Sequence, residues 1–185
     1  MANERPNVVK MKGNPVTLLG NEVKVGDKAP DFTALAGLGA PVGLGDLKGK
    51  VKVFNVVVSV DTPVCDIQTK RFNKEAAGLG DGVEIVTLSM DLPFALKRYC
   101  AAEGIDRVKT LSDYQNASFG EAYGVLIKGK QAPGEVGFCR GQEQQGETRG
   151  NRRGNNSRAK LRSCAESRKR IPLNFRWCEI IIVRP

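Results

Sequence analysis

VKVFNVVVSVDTPVC, residues 51–65, is the stretch whose reading decides the fold. Its first ten residues, 51–60, form a nearly continuous β-branched run. Such a run marks a strand buried on both faces of a parallel sheet, because an edge or half-solvated strand would alternate apolar with polar residues. Asp61-Thr62-Pro63 then breaks the strand and starts a helix: Thr62 suits an N-cap, and Pro63 suits the first helical position, where its missing N–H costs nothing. The helical pattern continues over 64–79.

Working outward, residues 83–90 (VEIVTLSM) predict the next strand, and Asp91-Leu92-Pro93-Phe94 opens a second helix through Tyr99 and Cys100 to about Glu103. A strand at 108–111 and a short helix at 117–123 complete a β-α-β-α series, so the fold class is α/β. Upstream, Gly13-Asn14-Pro15 and Gly20-Asn21 punctuate short mixed stretches that read as one or two N-terminal hairpins, and 37–49 reads as a glycine-rich connector. Beyond Lys128 the pattern is lost. Gly, Arg, Gln and Asn dominate, and no period of 2 or 3.6 returns until 177–183 (WCEIIIV). The expected organisation is a domain over 1–128 and a basic tail over 129–185, which taken alone reads as disordered.

Composition narrows the chemistry. The chain of 185 residues is long enough for one core, and neither a signal peptide nor a run of about eighteen apolar residues is present, so a cytoplasmic, membrane-free protein is expected. Histidine is absent, which excludes Ser-His and Cys-His catalysis and most zinc sites. The five cysteines are odd in number, irregularly spaced and without a C-x-x-C pair, which argues for reduced thiols rather than a disulfide framework or a metal centre. No cofactor or metal is expected. The net charge of +9 belongs mostly to the tail, since residues 1–128 carry 16 Lys+Arg against 15 Asp+Glu and residues 129–185 carry 13 against 5. Nucleic-acid binding through the tail rests on that charge alone, with little aromatic interleaving.

With Thr62 as N-cap, Cys65 is the third helical residue. There the unpaired backbone N–H groups and the positive end of the helix dipole favour a thiolate without help from histidine. The Thr62 hydroxyl can lie beside the sulfur and hydrogen-bond a peroxide oxygen. Nucleophilic attack on an O–O bond would leave a sulfenic acid on Cys65. The competing reading is a small buried cysteine with a packing role only, and the same holds for Cys100 on the second helix.

Three segments carry a family resemblance: Asp61-Thr62-Pro63-Val64-Cys65, the stretch SMDLPFA with KRYC at 89–100, and Ala122-Tyr123-Gly124-Val125. Together they resemble the thiol peroxidases, the atypical two-cysteine peroxiredoxins, from about Val8 to Lys128. The resemblance implies a thioredoxin-like fold with an N-terminal hairpin, incomplete at its C-terminal end. It also implies that Cys65 is the peroxidatic cysteine, Cys100 the resolving cysteine of a redox-active disulfide within the same chain, and Thr62 the active-site threonine. Hydrogen peroxide and organic hydroperoxides are the implied substrates, thioredoxin the reductant, and a homodimer the assembly.

Two departures accompany it. Three residues before Asp61, where the superfamily pattern has a proline that shapes the pocket, this chain has Val58. After Tyr123-Gly124-Val125 the family's arginine, two strands and closing helix are missing, which removes a cationic partner for the thiolate and predicts an open sheet edge, marginal stability and aggregation, with 180–183 a further adhesive segment. Read one nucleotide further on with permitted codons, residues 134–146 spell ARSVFVVDKNNKV and 156–167 spell TAEPNYEAALKA, both resembling the family at those places. A frameshift between about Ile127 and Pro133 accounts for this, with the arginine encoded across Glu135 and Val136. An inactive frameshifted product is therefore the alternative to an active peroxidase.

Overall fold

The computed structural model describes residues 3–11, 14–24, 27–48, 51–80, 82–129 and 179–183. Most of the expected basic tail, including Glu135, Val136 and both back-translated segments, lies outside the described residues.

The residues of the β-branched run form β5 (Val51–Val56), with β6 (Val83–Ser89) and β7 (Lys109–Ser112) beside it as a parallel trio in the order β7-β6-β5. Phe54 pairs with Val86, and Val86 with Lys109. Helices α1 (Pro63–Ala76) and α2 (Pro93–Glu103) connect these strands, as parallel neighbours require. β5 is shorter than the run suggests. Val57 N–H still reaches Leu88 C=O at 2.9 Å, but the chain then turns, and Val60 N–H is taken by the Asp91 carboxylate at 2.8 Å. The apolar side chains of Val57 and Val60 continue into the core, which is why the sequence pattern runs past the ladder.

The two faces of the sheet are packed separately, because successive strand residues point in opposite directions. Val53, Val57, Ile85 and Val108 bury against Cys65, Phe72, Leu96 and Tyr99 of α1 and α2. Phe54, Val56, Val86, Leu88 and Leu111 bury on the other side against Phe32 and the short helix α3 (Ser118–Ala122), with Tyr123 just beyond it. Four rings meet there. Phe119 and Tyr123 stack at 4.2 Å between centroids, and Phe32 stands edge-on to Phe54 at 5.7 Å.

The expected N-terminal hairpin is present as β1 (Glu4–Met11) and β2 (Asn14–Leu19), to which β8 (Leu126–Ile127) adds a third antiparallel strand. A second hairpin replaces part of the connector expected over 37–49. It comprises β3 (Thr33–Gly37) and β4 (Ala40–Gly43), and β3 pairs antiparallel with β7. Gly39, at φ +71°, supplies the left-handed turn between them. The backbone after α3 is pressed against the loop that follows β2: at Gly124, φ +64°, a Cβ would lie 2.3 Å from the Asn21 carbonyl oxygen, so only glycine fits.

The sequence predicts a sheet that keeps an open edge; at β5 that edge is occupied. β9 (Glu179–Val183) pairs antiparallel along the whole strand, from Lys52 with Val183 to Val56 with Glu179, giving the order β4-β3-β7-β6-β5-β9. The apolar segment at the end of the chain satisfies the β5 backbone there, in place of the strands missing by comparison with the family pattern.

Asp113 is buried at the end of β7 and accepts from the N–H groups of Phe119 (3.1 Å) and Gly120 (2.9 Å), fixing the start of α3. Burial pushes its carboxyl up to about 6 against these hydrogen bonds, which favour the anion. A raised folded-state value means stability present below the unfolded value near 4 and lost as pH rises through about 6. Relative to Asp113→Asn, the wild-type chain is therefore expected to lose at most about 3 kcal/mol between pH 4 and pH 7 in urea unfolding. A stability difference independent of pH would refute this account.

Candidate active site

Cys65 lies in the first turn of α1, with Thr62 as the N-cap residue in extended conformation and Pro63 at the first helical position. Asp66 N–H closes the first turn on Thr62 C=O at 2.9 Å. Thr62 makes no side-chain cap; its hydroxyl instead donates to Ser59 C=O at 3.0 Å, and its N–H reaches the same oxygen at 3.2 Å. The threonine is thus fixed by the loop before it rather than by the helix after it. That loop is anchored in turn by Asp91, whose carboxylate takes Val60 N–H and whose carbonyl takes the Ser112 hydroxyl. Val58, where the family pattern has proline, is half-buried and packs against Leu18 and Ile127.

Beneath α1 runs a buried polar chain. Asn55 of β5 donates to Thr87 (3.1 Å) and Thr69 (3.4 Å) and accepts from Gln68 Nε2. Gln68, one turn after Cys65, keeps its Oε1 buried with no hydrogen-bond partner among the described residues. These bonds orient α1 on the sheet, since each buried donor left unmade would cost about 1–3 kcal/mol.

Cys65 and Cys100 are both reduced; Cys65 is buried, and Cys100 is half-buried with Sγ 3.5 Å from the Thr110 hydroxyl. Cys65 belongs to the apolar cluster between the sheet and the two helices, and Cys100 packs against that same cluster, so the fold gathers both expected cysteines on one face. Thr62 is the N-cap residue of the helix that carries Cys65.

Residues adjacent to the cysteines link the two helices. Tyr99 donates its hydroxyl to Asp66 Oδ1 at 3.0 Å and approaches the Asp66 carbonyl at 3.4 Å. Lys70 lies between Asp66 (2.9 Å) and Glu103 (2.6 Å). Burial and then the Asp66 carboxylate raise the Tyr99 hydroxyl far above the ordinary tyrosine range, so it stays a donor. Lys70 is likewise raised, by its hydrogen bonds to Glu103 and Asp66. Sequence reading missed these four residues. The only signal was adjacency, Asp66 directly after Cys65 and Tyr99 directly before Cys100.

A cleft of ≈240 Å³ between β3, β4 and the end of β7, lined by Thr33, Leu35 and Asp113 among others, contains neither cysteine. Among the described residues no cluster of His, Cys, Asp or Glu could hold a metal ion, and no helix is long and apolar enough to cross a membrane.

Residues 24–138 match the Redoxin family model. The chain belongs to the redoxin family. Within it, the chain is 62% identical over 120 residues to the thiol peroxidase of Halalkalibacterium halodurans, covering 65% of this chain and 72% of that protein. It is 59% identical over 120 residues to the thiol peroxidase of Bacillus subtilis, covering 65% and 71%. Among solved structures, a peroxiredoxin-like protein from Aquifex aeolicus superposes with a TM-score of 0.60 at 39% identity, covering 71% of this chain and 84% of that one. The thioredoxin-like α/β fold implied by the sequence is therefore that of this chain, and its relatives are thiol peroxidases.

Proposed function

We propose that the chain is a thiol-dependent hydroperoxide reductase in which Cys65 attacks, Thr62 assists and Cys100 resolves. The observation that carries the reading is the placement of Cys65 in the first turn of α1, on the same apolar face as Cys100, in a chain this similar to thiol peroxidases. Free N–H groups and the helix dipole favour negative charge on the sulfur there. The Cys65 thiolate attacks the terminal oxygen of the hydroperoxide, the O–O bond breaks, and the departing alkoxide or hydroxide takes a proton to leave as alcohol or water. Thr62, held by Ser59, hydrogen-bonds the peroxide. The Cys100 thiolate then attacks the Cys65 sulfur, the S–O bond breaks, and hydroxide leaves as water after protonation.

Thioredoxin reduces the resulting disulfide in this reading, and a reducing cytoplasm suits the scheme. A homodimer is the assembly in this reading, and Val64 and Ile67 on α1 with Leu92 and Phe94 at the start of α2 are exposed apolar side chains available to bury against a second copy. The catalytic unit is residues 1–128, with 129–185 as an out-of-frame segment, and the nucleotide sequence tests that assignment: a one-base shift must restore the family-like strings.

Stoichiometric hydrogen peroxide followed by peptide mass mapping tests the chemistry. The expected product is a Cys65–Cys100 disulfide. A chain that stays reduced would identify an inactive product, as loss of the family's arginine allows.

A further inference from the structure

We propose that Asp66, Lys70, Tyr99 and Glu103 form a clasp between α1 and α2 that sets how fast oxidised Cys65 reaches Cys100. The proposal rests on the peroxidatic and resolving roles given above for the two cysteines.

Both thiols sit on ordered helices, and a disulfide needs their Cα atoms within about 7 Å. Cys65 is buried in the first turn of α1, Cys100 is three residues from the end of α2 and the two are not bonded, so forming the bond requires the turns that carry them to move toward one another. The clasp lies across that motion. Asp66 closes the first turn of α1 through its N–H to Thr62 C=O, and Tyr99 grips both the carboxylate and the carbonyl of the same residue. Unwinding the turn that carries Cys65 moves Asp66, and unwinding α2 around Cys100 moves Tyr99. Either movement breaks the hydroxyl–carboxylate hydrogen bond. Lys70 reinforces the pair one turn further along α1 by bridging Asp66 to Glu103 at the last residue of α2. The ring of Tyr99 is 6% exposed and packed in the apolar cluster that contains Cys65, so its hydroxyl is held on target by burial of the ring.

While the clasp is closed, the Cys65 sulfenate stays near the peroxide site and away from Cys100. A second hydroperoxide can then transfer its terminal oxygen to the sulfenate sulfur, giving the sulfinate and releasing an alcohol or water. Once the clasp opens, the disulfide forms instead. The clasp therefore divides the oxidised enzyme between a recyclable and an irreversible product, without touching the peroxide.

Tyr99→Phe removes the hydroxyl and keeps the ring, and Lys70→Met removes an exposed charge, so at least one of the two variants is expected to fold as the wild type does. Each full-length chain is mixed rapidly with hydrogen peroxide, quenched with a thiol-alkylating reagent and analysed by mass spectrometry for thiol, sulfenate, disulfide and sulfinate at Cys65. Disulfide formation is expected to accelerate on the order of tenfold in Tyr99→Phe, the effect of losing one hydrogen bond to a charged acceptor, and less in Lys70→Met, whose ion pairs are exposed. The peroxide concentration that half-converts Cys65 to sulfinate is expected to rise in step, while the initial loss of the thiol proceeds at the wild-type rate. Disulfide formation at the wild-type rate in both variants overturns the clasp and leaves the cysteine roles standing. A wild-type chain that forms no Cys65–Cys100 bond overturns those roles and the clasp with them.

Discussion

Cys65→Ser is expected to lower hydroperoxide turnover by more than about a thousandfold, on the scale seen when an enzyme loses its nucleophile. The reason is chemical rather than structural. Serine nearly matches cysteine in size, so the first turn of α1 and the packing around it survive. A serine hydroxyl, however, stays protonated where the helix terminus favours a thiolate, and it lacks the polarisable sulfur that attacks an O–O bond. Cys100→Ser is expected to behave differently. Cys65 should still be oxidised once at the wild-type rate, but turnover with a dithiol reductant should stop, and the sulfenic acid should pass to sulfinic acid as peroxide rises. Peroxide consumption for both variants, with mass mapping of Cys65, checks the pair. Equal turnover in wild type and Cys65→Ser would remove Cys65 from the mechanism.

The sequence showed the positions of these cysteines better than their surroundings. A β-branched run, a Thr-Pro break and a helical stretch place Cys65 in the first turn of α1 by local rules alone, and the family-like SMDLPFA and KRYC segments place Cys100 on the next helix. What local rules missed depends on contacts distant in sequence. Tyr99 and Asp66 are 33 residues apart, and their hydrogen bond exists only because two parallel strands set α1 beside α2. Thr62 reads as a side-chain cap, yet its hydroxyl is taken by Ser59, a competing local acceptor. The β3–β4 hairpin is hidden in a glycine-rich stretch because its strands TALAG and APVG are short and only partly buried, with little alternation to detect. Asp113 resembles any turn aspartate until burial reveals that it anchors α3.

Deleting residues 179–185, or replacing Ile181 by proline, is expected to destabilise the sheet by about 2–5 kcal/mol, taking roughly one net kcal/mol for each ladder hydrogen bond lost. β5 is the strand from which the Cys65 loop departs, and with β6 already on one side its other edge is covered by β9 alone in the sheet order. Uncovering that edge presents the unpaired N–H and C=O groups of a β-branched strand to solvent and to other chains, the arrangement that templates edge-to-edge association. Against a total stability of about 5–15 kcal/mol such a loss is large. The midpoint of urea unfolding should fall, and light scattering at micromolar concentration should rise for the shortened chain but not for the intact one. The loss should reach the active site as well, because Asn55 on β5 anchors Gln68 and Thr69 of α1, so a frayed β5 loosens the helix that carries Cys65. An unchanged midpoint would mean that β9 contributes nothing to the sheet. A lowered midpoint with slower oxidation of Cys65 would show that a segment read as out of frame has nevertheless become the edge strand on which the catalytic helix depends.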